Sequence, residues 1–436
     1  MNKTSRQHRC KPTDSRVSVP EVVWTQGGVL SRASLRSRLA LGTFLSTCVV
    51  LGPVMAGPPA VNQLPTGGQV VAGSASIAQS GATMNINQST QRAAINWQTF
   101  NVGSSATVNF NQPSASSVTL NRVLDSNPSQ IYGHINAPGQ VFFTNPNGVY
   151  FSPSSSVDVG GLVATTHGIS DADFMAGNNK FTRDGASGSI VNDGSLKAKL
   201  GGYIALLAPE VRNQGVIVAQ LGTVALAAGD AYTLQFSGNN TLADILVTPA
   251  TIQALVQNGN AVQAPGGLII LSARAADSLQ GGVVNNSGAL EATRLNNVGG
   301  RIVLKGDAVV HTGSATAGTI TVNAGNVVDA GSWNASAARN GTADGGAIEV
   351  AATGGIEQTV AGTMSADGET GGSVSLSAGS GAYLSGAISA RGSQRGGGVI
   401  TVTASNLTLA GARLHVDGAS GGGVAGCENT RFVGAQ

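Results

Sequence analysis

Val191–Ala198 reads "VNDGSLKA", Val211–Ala219 reads "VRNQGVIVA" and Val284–Ala292 reads "VNNSGALEA". Each places an asparagine just past a valine, a glycine about two residues later, then Leu or Ile alternating with Ala or a polar residue. A second unit, Gly-x-(Ile/Val)-x-(Leu/Val/Ala), interleaves with the first. It centres on Ile204, Val224, Ile269, Ile302, Ile320, Ile348, Val374 and Ile400, at spacings of 20, 45, 33, 18, 28, 26 and 26 residues. Alternation with period two is strand spacing, and its recurrence at a longer period marks a repeat architecture. Short strands with Gly-rich corners predict an all-β fold, a right-handed parallel β-helix (solenoid) with short hairpin excursions. Each strand would pair with its counterpart one coil away, inward residues would form apolar ladders, and Gly and Asn would take left-handed corner conformations. An ordinary β-sandwich does not repeat motifs at a fixed period.

The 45-residue gap holds "TLADILVTPATIQALVQNG", Thr241–Gly259. Thr248 suits a helix N-cap and Pro249 the first helical position. Ile252, Leu255 and Val256 share one face, and Asn258-Gly259 closes the segment. One small helical insertion, or an extra coil, is expected there.

Composition agrees with thin stacked strands. Glycine supplies 62 of 436 residues, about twice the usual ~7%, and charged residues only 11% against roughly 25% in ordinary domains. Low charge with normal aliphatic content excludes a disordered chain.

Arg32, Arg36 and Arg38 lead into "LALGTFLSTCVVLGPVMAG", whose apolar run breaks at Pro53 and ends on small residues. That is the pattern of a secretory signal, with cleavage expected between Ala56 and Gly57. Removing residues 1–56 leaves 16 basic and 20 acidic residues, so the basic balance belongs to the leader and nucleic-acid binding loses its support. No membrane span is expected after processing. Of the three cysteines only Cys427 remains, which excludes an internal disulfide framework and suits a chain threaded unfolded through a second membrane.

"VFFTNPNGVYF", Val141–Phe151, sets two alternating apolar runs around Asn145-Pro146-Asn147-Gly148. Pro146 presets φ, Asn147 and Gly148 are turn residues, and Asn145 can seed the turn through its side chain. The local expectation is a tight turn capping a hairpin.

Leu64–Phe110 ("LPTGGQVVAGSASIAQSGATMNINQSTQRAAINWQTFNVGSSATVNF"), with Ser126–Thr166 and its central NPNG, resembles the N-terminal secretion domain of two-partner secretion exoproteins of the filamentous haemagglutinin type. The resemblance implies a β-helix recognised by an outer-membrane barrel transporter with periplasmic POTRA domains. It also implies export to the surface of a Gram-negative bacterium, with Asn145, Pro146, Asn147 and Gly148 as the secretion motif. It implies the start of an adhesin, a monomeric rod with a host-cell or glycan ligand. The family's companion N-P-N-L motif is missing, and Asn127-Pro128-Ser129-Gln130 is not read as its equivalent. The chain divides into a leader (1–56), secretion domain (57–310), passenger coils (311–423) and a tail (424–436). A 26-residue coil after Ile400 predicts a ladder position near 426, but "GGGVAGCENTRFVGAQ" shows no alternation, so the tail reads as truncated or frame-shifted.

Catalytic patterns are sparse. His134, His167, His311 and His415 are scattered without metal spacing. Asp171 and Asp173 in "SDADF" fit a helix N-cap, while Arg301, Asp307 and His311 could share one surface. No enzyme activity and no cofactor are expected. The alternatives are a small glycan-binding or polysaccharide-cleaving β-helix, and the delivery end of a cytolysin or contact-dependent toxin.

Overall fold

A computed structural model describes residues 57–238, 241–276, 281–293, 299–337 and 343–429. The chain is a parallel β-helix in which three sets of strands stack coil upon coil. Ile204 aligns with Val224, Val224 with Ile269, and the register continues through Ile302, Ile320, Ile348, Val374 and Ile400. The Gly-x-Ile ladder of the sequence is therefore the observed register. It extends back through Leu162 to Val141 and forward to Ala425. Val424–Asn429 adds one more paired strand, one residue from the expected position and inside what was read as an atypical tail. Its inward positions are Ala425 and Cys427, too small and unbranched to register as a strand pattern. Residue 310, the expected domain boundary, lies within the strand Arg301–His311.

Glycine and asparagine serve the coil differently from expectation. Leu221 is the one non-glycine residue with positive φ among the described residues, so no asparagine forms a left-handed corner. Gly222 and Gly372 are needed for close approach. A Cβ on Gly222 would lie 1.9 Å from the Gly202 carbonyl oxygen, and one on Gly372 would lie 2.1 Å from that of Gly346. At these positions the adjacent coils touch backbone to backbone just before the ladder residues Val224 and Val374, which is why glycine precedes them in the repeat.

The asparagines of the first repeat point inward. Asn192, Asn213, Asn258 and Asn286 align in successive coils and are fully buried. Each donates its Nδ2–H to the Oδ1 of the next, at 2.7, 2.8 and 2.7 Å. Asn286 then donates to His311 Nδ1 at 3.1 Å, which leaves Nε2–H to donate to Ser332 O at 3.2 Å. Asp329 and Gln358 continue the column. A buried amide without a partner costs about 1–3 kcal/mol, so a chain of amides tolerates the core only when each finds the next in register.

The long gaps in the repeat build a second layer. Lys180–Thr182, Ala231–Phe236 and Leu242–Thr248 form an antiparallel three-stranded sheet outside the helix. With the helix Asp171–Ala176 it covers the outer face of strands such as Gln140–Thr144 and Thr223–Ala228, which are buried on both sides. The helical insertion thus lies at Asp171–Ala176, not in Thr241–Gly259. There, Leu242–Thr248 joins the outer sheet, and Ala254–Asn258 enters the coil with Val256 and Asn258 inward. The helical face read from Ile252, Leu255 and Val256 yields to ladder positions waiting in the neighbouring coils.

At the N-terminal end, Gln69–Ala72 and Ala75–Ser80 pair antiparallel with Arg92–Trp97 and Thr83–Gln88. Trp97, Phe100 and Phe143 pack edge to face beneath them, with centroids 5.3 and 4.6 Å apart.

Candidate recognition surface

Gln140–Thr144 and Val149–Phe151 do not pair with each other. The first lies between Val118–Val123 and Ser156–Thr165, the second between Ser129–Ile131 and Ser189–Asn192, all in parallel. Asn145–Gly148 is therefore a corner that carries the chain from one face to the next, not the cap of a hairpin. In a solenoid the partners of both flanking strands come from neighbouring coils, so local alternation around a turn cannot distinguish the two.

The corner is a hydrogen-bonded β-turn, with Gly148 N–H donating to Asn145 O at 3.0 Å. Asn145 is fully buried. Its Oδ1 accepts the Asn147 N–H at 3.0 Å, and its Nδ2 donates to Asn127 O at 3.0 Å and Ser129 Oγ at 2.9 Å. Gly148 is buried at φ 111°, and a Cβ there would meet Ser189 O at 2.6 Å. Pro146 and Asn147 are exposed, and Asn147 Nδ2 donates to Asp125 O at 2.8 Å.

The corner one coil earlier runs over Leu124–Pro128, so Asn127-Pro128 closes it while Ser129-Gln130 already belong to the strand Ser129–Ile131. Ser129 aligns with Val149, and its N–H donates to Gly148 O at 3.0 Å. Sequence reasoning set this segment aside. The available signal was the second Asn-Pro pair, 18 residues before the first, close to the coil offset that pairs Ser129 with Val149. Leu124, 64% exposed, opens this earlier corner. With Gly67, Gln69, Asn96, Gln98, Asp125 and Ser126 it lines a concavity of about 440 Å³.

The other candidates have structural partners. Ser170 Oγ accepts the Asp173 N–H at 3.0 Å and donates to the Asp173 carboxylate at 2.6 Å, which holds that carboxyl below its ordinary pKa. Asp171 pairs with Arg122 at 2.7 Å, fastening the helix to the coil. His167 is buried, bonds Gly229 O at 3.0 Å, and is pushed by burial down to about 4. His311 sits in the inner ladder and falls likewise to about 4. Arg301, Asp307 and His311 lie on one strand but share no surface. Arg301 is exposed and His311 buried, while Asp307 accepts the Ala275 and Gly282 N–H groups at 2.8 and 2.6 Å. His134 is exposed and His415 half-buried, far apart along the stack. Gly57 is exposed; Ala56 and the rest of the expected leader lie outside the described residues. Among the described residues no group of three or more His, Cys, Asp or Glu could hold a metal, and no helix is long and apolar enough to cross a membrane.

The fold is a β-helix with an antiparallel N-terminal cap and an outer sheet, and one corner exposes an Asn-Pro pair. A family model described as the TPS (two-partner secretion) secretion domain matches residues 61–322, and the chain belongs to that family. Such a domain marks an exoprotein for export through the periplasm and outer membrane to the cell surface or medium. The solved HMW1 secretion domain from Haemophilus influenzae is similar, with TM-score 0.73 and 25% identity over 81% of this chain and 99% of that one. A heme/hemopexin-binding protein of H. influenzae strain Rd is 36% identical over 253 residues, 56% of this chain and 28% of that protein. A second H. influenzae protein of the same name is 31% identical over 247 residues, 52% of this chain and 26% of that protein. The chain thus spans less than a third of the length of either relative.

Proposed function

We propose that the Asn145–Gly148 corner is part of the signal by which an outer-membrane barrel transporter, through periplasmic POTRA domains, takes this chain for export. The supporting observation is that Pro146 and Asn147 stand exposed on a turn whose other two residues are buried and fully bonded. The antiparallel cap adds strand edges to which a partner strand can add. On this reading the chain is a transported substrate rather than an enzyme, a reading supported by the structural bonds that already engage His167, His311, Asp171 and Asp173. It is also the start of an adhesin, with a host-cell or glycan ligand bound by coils beyond the secretion domain.

The test compares export of the full chain with and without a co-expressed cognate transporter, for wild type and Asn145→Ala/Asn147→Ala. Transporter-dependent export of wild type alone, with the variant still refolding to β-structure by circular dichroism, is the expected result. Equal export of both would reduce Asn145–Gly148 to a corner.

A further inference from the structure

We propose that the signal is a two-coil surface: Asn145 is a positioning residue that never touches the transporter, and Leu124, Ser126 and Asn127 of the preceding coil are read together with Pro146 and Asn147. This inference rests on the export reading above.

The argument begins with accessibility. Asn145 has no exposed surface to offer, Gly148 is buried, and every polar group of the Asn145 side chain is engaged within the domain. The Asn145 side chain ties its own turn to Asn127 and Ser129, and Asn147 adds a bond to Asp125. Those bonds lock two successive corners into one rigid ridge. On the ridge, Leu124, Ser126 and Asn127 are exposed beside Pro146 and Asn147. An exposed leucine beside a concavity is an anchor point of the kind that dominates protein interfaces when covered.

The chemistry of the concavity limits what fits. Gln69 and Gln98 offer carboxamides, Asn96 offers its Nδ2 while its Oδ1 accepts from Arg122 at 2.9 Å, Leu124 offers apolar surface, and Asp125 is the one charged residue in the lining. Arg122, on the adjoining strand, is already paired with Asp171. A surface of amides with one apolar anchor suits an extended, uncharged polypeptide segment, whose main chain bonds the carboxamides while one apolar side chain packs on Leu124. Binding should accordingly change little with salt, unlike a steered charged encounter.

The experiment measures export of the full chain with its cognate transporter, and binding of the folded domain to that transporter's isolated periplasmic region. Leu124→Asp is expected to lower both by about tenfold without lowering the melting temperature. Leu200→Asp, at an equally exposed leucine elsewhere (71%), is expected to leave both unchanged. Wild-type behaviour of Leu124→Asp overturns the proposal. If that variant proves unstable, Ser126→Lys replaces it, and its unimpaired export likewise overturns the proposal. Normal export of Asn145→Ala/Asn147→Ala beside failed export of Leu124→Asp would instead sink the reading of the turn as signal, and the two-coil surface with it.

Discussion

One outward-facing column of side chains, followed along the stack, separates the molecule into two regions. It runs Leu120, Phe142, Val163, Ala205, Ala225 and Ile270, then Val303, Thr321, Glu349, Ser375 and Thr401. The same backbone position is a buried apolar contact as far as Val303 and a polar one, half-buried or exposed, from Thr321 onward. The change follows the outer layer: from Leu120 to Ile270 the column packs against Phe174, Phe181, Tyr232 and Ile245, and beyond Val303 nothing covers it among the described residues. Strands buried on both faces read as unbroken apolar runs, whereas those buried on one face alternate, as Ser373–Ala378 does. The lesson is that the early coils form a two-layered, aromatic-rich block, while the later coils rely on their inner ladders alone.

The largest expected effect breaks that contrast directly. Phe142 lies about 6 Å by ring centroid from both Phe174 and Phe181, across the two layers. Phe142→Ala should cost about 3–5 kcal/mol, whereas Ser375→Ala in the same column should stay within about 0.5 kcal/mol. Urea unfolding of the two variants provides the check. Similar losses would mean that the outer layer contributes no more than bare solvent contact.

How far the two regions were legible in the sequence follows from the same contrast. The later coils announce themselves because their inward Ile, Val and Leu alternate with Ser, Thr and Glu, and Ile348, Val374 and Ile400 fall on one register. The outer layer was opaque. Lys180–Thr182 pairs with Ala231–Phe236 across some fifty residues, and three residues flanked by glycine and asparagine carry too little pattern to signal such a pairing. Thr248-Pro249 has the chemistry of a helix start, and only the coil beside it shows why Val256 and Asn258 point inward. The Asn145–Gly148 corner is legible as a turn, but its contact with the corner one coil earlier is not. Nothing local to Asn127 records that it will lie beneath Asn145.

A middle-sized effect sharpens what holds the inner ladder. Asn258→Ala removes the acceptor of Asn213 and the donor to Asn286, both fully buried. Two orphaned groups predict a loss of about 2–4 kcal/mol. Amide hydrogen exchange should rise first in the strands bearing Asn213 and Asn286, since those lose their partner. Uniform acceleration along the stack would instead indicate that the ladder acts as one cooperative body.

The smallest effect concerns protons and sets His167, beneath the outer layer, beside His311 and Asp329 in the bare coils. Burial lowers both histidines from 6.5 to about 4, so their contribution to stability is present above pH 6.5 and lost as pH falls through 4. Burial raises Asp329 from 3.8 to about 7, so its contribution is present below pH 3.8 and lost as pH rises through 7. Between pH 4 and 6.5, of these three groups, the unfolded chain therefore binds two protons that native His167 and His311 refuse, while the native state holds one that the unfolded aspartate releases. His415, also lowered by burial, adds in the direction of the histidines. The net sign is a stability that rises with pH across that window. His311→Asn, which extends the asparagine ladder by one rung, removes one histidine and should shrink the slope, leaving His167 and the more weakly lowered His415 against Asp329. Urea midpoints at pH 4.5, 5.5 and 6.5, steps of about one pH unit, would then rise less steeply. A slope unchanged by His311→Asn would show that His311 is not held neutral in the ladder, and that its bond from Asn286 is not what fixes its tautomer.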